Sequence, residues 1–186
     1  MSAAAFLVGK LPAHGDFVSR GMPRSVAAAW DAWCSAGLDA AEAGFGAAFV
    51  TRQRAMPPWR FCFDPGLIDG HWHVGAILPS RDRADRAFLL VAGARAEAPP
   101  VPDALEAFTG EVAACCRNAI DAGWSADALH AALEAIAETP SNVPAAEPPQ
   151  PRLWTDAGDG APPRALTPVT LGRHLIKTML NVEETD

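Results

Sequence analysis

Apolar side chains change their spacing along the chain, and the changes mark out helices and strands. A short apolar run over 6–8 predicts an opening strand. From Ser25, apolar positions recur every three or four residues, the spacing of an amphipathic helix, until Gly44 and Gly46 end the pattern. A second short helix is expected over 47–54, before a pair of prolines.

The next forty residues alternate with a period of two, which favours strands over helices. Apolar and polar side chains alternate over 59–63, as in a half-buried strand. Two further strands are predicted over 71–78 and 87–92. The last of these is continuously apolar, and we therefore place it in the centre of the sheet.

Helical spacing returns after residue 102. Asp103 and Glu106 match a capping box, in which two side chains satisfy the free amides of the first turn. Gly123 is expected to end this helix and Ser125 to cap the next one, so that the two form an antiparallel hairpin.

A proline-rich stretch separates the body of the chain from its tail. Residues 139–152 contain five prolines and are predicted to be a linker or a surface crossing. They divide a core over 1–138 from a tail over 153–186, which is expected to complete the same domain with strands at 153–154 and 166–170 and a final helix from residue 171. The whole pattern predicts an α+β domain with an antiparallel or mixed sheet, because the strands are grouped between helical blocks.

Composition excludes several classes of partner. The 186 residues carry a net charge of −7, with 22 acidic and 15 basic side chains, which argues against nucleic acid and against anionic membrane surfaces. No apolar stretch reaches the ~20 residues of a membrane span, and the first residues lack a basic secretory leader, so a cytoplasmic protein without membrane insertion is expected. The four cysteines show no CxxC spacing and are expected to be free thiols.

Each catalytic motif that the sequence suggests lacks at least one required residue. Gly9-Lys10 lacks the remainder of a phosphate-binding loop, and no GxSxG elbow is present. Asp69, His71 and His73 could hold zinc, or they could be ordinary residues at the start of an edge strand. His14 could form an acid–base pair with a nearby aspartate, but no third partner is evident.

Two loops carry the densest unusual chemistry. The N-terminal loop (residues 9–23, GKLPAHGDFVSRGMP) has three glycines and two prolines, and we expect Asp16 to hold its shape by accepting backbone amides. The charged turn (residues 79–86, PSRDRADR) has three arginines and two aspartates. The N-terminal loop is expected to be either a structural clamp or a binding surface. The charged turn is expected to be either a recognition surface or a locally ion-paired turn.

These segments resemble the TagF family of type VI secretion-associated proteins. GKLPAHGDFVSRGMP resembles its opening signature, and WDAW over 30–33, PPWRFCFDPG over 57–66 and PSRDRADRAFLL over 79–90 resemble later motifs in the same order. The chain departs from the family pattern at Asp85, where a glycine is expected, and at Leu89, where a proline is expected. The aspartate tolerates positive φ less well than glycine, so the turn is expected to differ there.

The resemblance implies a three-layer α/β/α fold, longin-like, with a mainly antiparallel sheet. It also implies post-translational repression of a type VI secretion system through binding, with a forkhead-associated scaffold protein as partner and without catalysis or a cofactor. The alternatives are an assembly accessory of the same apparatus and a zinc-dependent hydrolase. The residues expected to form the signature or bind the partner are Lys10, His14, Gly15, Asp16, Phe17, Arg20, Ser80, Arg81, Asp82, Arg83 and Arg86.

Overall fold

A computed structural model describes residues 3–137, 149–156, 164–168 and 170–181. Most of the expected proline-rich linker therefore lies outside the described residues. The elements in chain order are β1 (Ala4–Gly9), β2 (Val18–Arg20), α1 (Arg24–Phe45), a 3-10 turn (Gly46–Ala48), α2 (Phe49–Ala55), β3 (Trp59–Phe63), β4 (Trp72–Arg81), β5 (Ala87–Ala96), α3 (Pro102–Ala122), α4 (Ala126–Ala137), β6 (Arg152–Thr155), β7 (Arg164–Leu166) and α5 (His174–Leu180).

One seven-stranded sheet organises the fold. Its strand order is β2-β1-β5-β4-β3-β6-β7, and every neighbouring pair is antiparallel. The interior position predicted for 87–92 is confirmed, because β5 lies between β1 and β4. The edge-strand interpretation of His71 and His73 is wrong, because β4 is the middle strand of the seven.

Helices cover both faces of the sheet, which confirms the three-layer arrangement. One core cluster joins α1, α2 and α5 to the sheet, and the other joins α3 and α4 to the opposite face. Trp30, from the WDAW motif, is fully buried in the first cluster, where its ring contacts those of Phe6, Phe61 and Phe63. Among the described helices, none has the length and apolar character needed to cross a membrane.

The start of α3 corrects one prediction. The helix begins at Pro102, and the preceding Val101 provides no side-chain cap. Glu106 does not complete a capping box; its carboxylate accepts hydrogen bonds from Arg60, Arg152 and the indole of Trp154. The hydrogen bonds from the two arginines are stronger than one from a neutral backbone amide would be, because they are charge-assisted.

The end of α3 and the start of α4 agree with the sequence. Gly123 takes the left-handed conformation that ends α3, with φ of 66°. The hydroxyl oxygen of Ser125 accepts the amide of Ala128 at 3.2 Å, which is the expected helix cap.

The tail continues the sheet and the first helical layer. β6 pairs with β3, and β7 pairs with β6 through Leu153 and Leu166. The strand predicted over 166–170 lies earlier, at Arg164–Leu166, and Pro168, which has no amide to donate, follows it. α5 packs against α1, as its apolar spacing requires.

A glycine in α1 allows α5 to approach closely. A Cβ atom on buried Gly37 would lie 2.8 Å from the Cβ of Ile176, a distance that the packed core can accommodate only by moving α5. Gly44 lies on an exposed turn of the same helix. A Cβ there would meet only the far end of the Lys177 side chain, which can rotate away.

The same substitution should therefore have opposite effects at the two glycines. We expect Gly44→Ala to raise the free energy of unfolding by up to about 1 kcal/mol, because alanine favours helix. Gly37→Ala should lower it by about 1–3 kcal/mol, because overpacking at Ile176 exceeds that gain. Urea titration of both variants measures the difference, and stabilisation by Gly37→Ala would contradict the packing described for α1 and α5.

Candidate functional site

The N-terminal loop and the charged turn meet at one buried carboxylate, that of Asp82. Its residue is 1% exposed. Oδ1 accepts the backbone amides of Ala84 at 2.9 Å and Arg86 at 3.1 Å, and Oδ2 accepts the Arg86 guanidinium Nε at 2.6 Å. The Lys10 ammonium donates to the same Oδ2 at 3.4 Å. One side chain thus closes the turn on itself and binds it to the other loop.

These contacts keep Asp82 ionised. The hydrogen bond from the Arg86 side chain lowers the pKa of Asp82 to about 2, against the opposing effect of burial, and the amides of Arg86 and Ala84 contribute further lowering. A carboxylate in an unfolded chain has a pKa of about 3.9. The charged form of Asp82 therefore stabilises the folded state relative to the protonated form.

Three more hydrogen bonds join the two loops. The Arg83 amide donates to the carbonyl of His14 at 2.9 Å, and its guanidinium donates to the carbonyl of Ala13 at 2.7 Å. The Ser80 hydroxyl donates to the carbonyl of Lys10 at 2.7 Å. Because these bonds use backbone carbonyls of the N-terminal loop, they fix the path of its main chain.

Gly9 allows the loop to start against β5. It has φ of 135°, and a Cβ atom on it would collide with the carbonyl oxygen of Leu89. That carbonyl accepts the amide of Lys10 at 3.3 Å. The glycine is therefore required by a close approach of two backbones, and no phosphate cradle is involved.

The far side of the N-terminal loop rests on α4. His14 Nε2 accepts the amide of Ala126, the first residue of the helix, at 3.0 Å. Arg20 donates to Asp127 at 2.7 Å, and this hydrogen bond lowers the pKa of Asp127. His14 thus binds a free amide of the helix terminus and does not form the acid–base pair considered with Asp16.

The tip of the loop is exposed and lightly held. Gly15 and Asp16 are exposed, and the Asp16 carboxylate accepts the amide of the adjacent Phe17 at 2.7 Å. The clamp expected at Asp16 is therefore found at Asp82, which accepts two amides and two cations from a buried position.

An aromatic pair lies beside the clamp. The rings of Phe17 and Phe88 meet edge to face, with centroids 6.4 Å apart, and both residues are half-buried. The Lys10 ammonium lies 4.9 Å from the centroid of Phe88, within the range of a cation–π interaction.

Asp85 keeps the turn conformation that glycine would favour. Its φ is 62°, and its amide donates to the carbonyl of Asp82 at 3.0 Å. Arg54 at 2.6 Å and Arg81 at 3.5 Å form ion pairs with its carboxylate. Asp85 thus adopts the positive φ that it was expected to tolerate poorly, because aspartate can occupy the left-handed region at a cost in conformational energy.

A cleft of about 240 Å³ opens on the other side of the turn, between α2, the ends of β4 and β5, and α3. Gln53 is 1% exposed there, and its amide donates to the carbonyls of Ser80 at 3.1 Å and Phe88 at 2.6 Å. No local pattern in the sequence associates α2 and α3 with the two loops, because the contacts join residues that are far apart in the chain. The cleft is lined by Gln53, Arg54, Leu78, Pro79, Ser80, Arg81, Asp85, Ala87, Arg117, Ile120 and Asp121.

The candidate zinc residues do come together, but around an arginine. Asp69 accepts His73 Nε2 at 3.1 Å and the guanidinium of Arg95 at 2.8 Å, and Arg95 also lies 2.8 Å from His71 Nδ1. Burial lowers the pKa of His73 more than Asp69 raises it, which favours the neutral ring. Burial raises the pKa of Asp69, but the bonds from His73 and Arg95 outweigh that effect and lower it overall.

The guanidinium of Arg95 supplies the positive charge that a zinc ion would bring to this cluster. Within the described residues, no group of three or more His, Cys, Asp or Glu side chains is arranged to hold a metal ion. The arrangement fits an ion-paired structural cluster at the start of β4.

The pKa of Asp82 leads to a prediction about pH. Asp82→Asn keeps the shape of the side chain and removes its charge, so the variant should be less stable than the wild type at pH 7. The difference in free energy of unfolding should shrink as pH falls from about 4 to about 2, because the wild-type carboxylate loses its preferential stabilisation over that interval.

Urea titrations at several pH values measure this difference. Asp16→Asn is the matched control, since it changes an exposed aspartate of the same surface and should alter stability by less than about 0.5 kcal/mol. Equal destabilisation by the two variants would contradict the clamp at Asp82.

The conformation of Asp85 leads to a second prediction. Asp85→Gly and Asp85→Ala both remove the ion pairs with Arg54 and Arg81, but only glycine occupies the left-handed region without cost. We expect the glycine variant to be more stable by roughly 1 kcal/mol. Thermal unfolding of the two proteins measures this, and equal melting temperatures would show that the turn is not left-handed at this residue.

Comparison with known proteins places the chain in a family. The TagF N-terminal domain, described as type VI secretion system-associated, matches residues 7–136, which include both loops and the helices beneath them. The crystal structure of PA0076 from Pseudomonas aeruginosa PAO1 is similar, with 27% sequence identity and a TM-score of 0.62 over 95% of this chain and 77% of that one. No curated protein matches the chain. With the family match covering well over half of its length, the chain belongs to the TagF N-terminal domain family of type VI secretion system-associated proteins.

Proposed function

We propose that the protein is a cytoplasmic, post-translational negative regulator of a type VI secretion system and that it acts by binding a forkhead-associated scaffold protein. Family membership supports the association with the secretion system. The observation that carries the binding mechanism is the clamp at Asp82, which fixes two loops of the family signature into one exposed surface.

The state of the ionisable groups supports binding without catalysis. His14 is occupied by the terminal amide of α4, and His73 is buried against Asp69. Both histidines are thus engaged in hydrogen bonds of the fold, which favours a structural role for them over acid–base catalysis. The cysteines are free, and burial raises the pKa of the Cys62 thiol to about 12, which suppresses the nucleophilic thiolate.

Deletion of the gene tests the direction of regulation. We expect the deletion strain to secrete more of a type VI substrate than the parent strain at unchanged transcript levels, because the proposed repression acts after translation. Re-expression of the intact chain should restore the parental level. A deletion that abolishes secretion would contradict repression and would favour an assembly accessory.

Purification tests the mechanism. The tagged protein should co-purify with the forkhead-associated protein encoded in the same gene cluster, and the purified pair should re-form a complex in vitro. Metal analysis of the purified chain serves as a control for the hydrolase alternative. Stoichiometric, tightly bound zinc would contradict the non-catalytic mechanism.

A further inference from the structure

Positive charge is concentrated around the clamp, although the chain as a whole is acidic. The cationic face, as we name it, consists of Lys10, Arg54, Arg81, Arg83 and Arg86 together with the carboxylates of Asp82 and Asp85. Four of these five cations share the two carboxylates, and Arg83 pairs with neither, in a protein whose net charge is −7. The local excess has the opposite sign to the rest of the molecule.

The anion at the centre of this face is hidden from a partner. The Asp82 side chain has no exposed surface, whereas that of Arg86 is 67% exposed. The Arg54 and Arg81 side chains are 55% and 53% exposed. A molecule that approaches the face therefore meets guanidinium groups and the Asp85 carboxylate, which is 61% exposed, while the buried Asp82 carboxylate holds Arg86 in place.

The ion pairs within the cationic face leave a net positive charge. Asp82 is shared by Lys10 and Arg86, and Asp85 is shared by Arg54 and Arg81. The Arg83 guanidinium donates to a backbone carbonyl, which carries no net charge. A carboxylate from a partner could replace water at these guanidiniums without breaking the clamp, and bidentate binding of carboxylates is the interaction for which arginine is best suited.

The cationic face also has other features that are typical of protein interfaces. The half-buried ring of Phe88 lies beneath Lys10 and contacts the ring of Phe17, at one side of the face. The cleft lined by Arg54, Arg81 and Arg117 lies at the other side. Aromatic and arginine side chains are enriched where proteins bind proteins.

We infer that the cationic face is the docking surface for an acidic segment of the partner protein, one rich in Asp and Glu. This inference rests on the proposed function for the existence of a partner and adds the surface and the chemistry of the segment. An extended basic stripe would be required for nucleic acid, and the acidic remainder of the chain opposes close approach to a surface as extended as a nucleic acid or an anionic membrane, whereas a short acidic segment needs only the cationic face.

Two exposed arginines that do not contact Asp82 allow a direct test, and the backbone hydrogen bond from the Arg83 amide to His14 remains when the Arg83 side chain is changed. The double variant Arg81→Gln and Arg83→Gln removes two charges and leaves Lys10, Asp82 and Arg86 intact. The matched control is Arg173→Gln with Lys177→Gln, which removes two exposed charges at α5, away from both loops and the cleft. Melting temperatures of both double variants establish that each is folded.

Binding is measured with two probes. The first is the purified forkhead-associated protein from the same gene cluster, and the second is a fluorescent ten-residue peptide of alternating Asp and Glu, compared with a peptide of Asn and Gln. We expect the Arg81 and Arg83 variant to bind both the forkhead-associated protein and the acidic peptide about fivefold to tenfold more weakly than the wild type, the control variant to bind as the wild type does, and added salt to weaken binding.

The outcomes separate the two proposals. If the forkhead-associated protein binds the wild type and the Arg81 and Arg83 variant equally, the docking surface is wrong and the proposed function stands. If that protein does not bind the wild type, its role as partner fails, and the acidic peptide alone decides the inference. Absence of peptide binding at low salt, or tighter binding of an RNA oligonucleotide or anionic vesicles, would overturn the inference.

Discussion

The ionised carboxylate of Asp82 joins two segments that are 70 residues apart in the chain. It accepts two amides of its own turn and two cations, one of which, Lys10, belongs to the N-terminal loop. Without the charge, Lys10 and Arg86 would repel each other, and only the hydrogen bonds of Ser80 and Arg83 would join the two loops. The exposed arginines are thereby held in one orientation, which lowers the entropy lost when a partner binds.

The sheet makes this junction possible. β1 and β5 are antiparallel neighbours, with Gly9 opposite Leu90, so the loop that leaves β1 emerges next to the turn that enters β5. The interior β4 and β5 pair over ten residues and project the turn beyond the end of β3. Trp30 and the aromatic side chains around it fix these strands against α1.

The sequence predicts elements whose apolar side chains recur at a regular spacing. It does not predict features that depend on a single contact between distant residues. Apolar spacing predicted α1, α3 and β3–β5, because each buries a continuous face, and the family resemblance added the layering of helices on both sides. The clamp was expected at Asp16 and lies at Asp82, since both are loop aspartates near cations and only strand order brings Lys10 to the second. Glu106 was assigned to a cap for the same reason: its distant partners, Arg60 and Arg152, are invisible to local patterns.

The protonation of Asp82 can be observed directly in the folded protein. Carbon-13 NMR of the side-chain carboxyl, followed from pH 7 to the acid limit of the folded state, reports its pKa without any substitution. A pKa of about 2 is expected from the clamp. A value near the ordinary 3.9 of a free aspartate would contradict it, and with it the account of how the two loops form one surface.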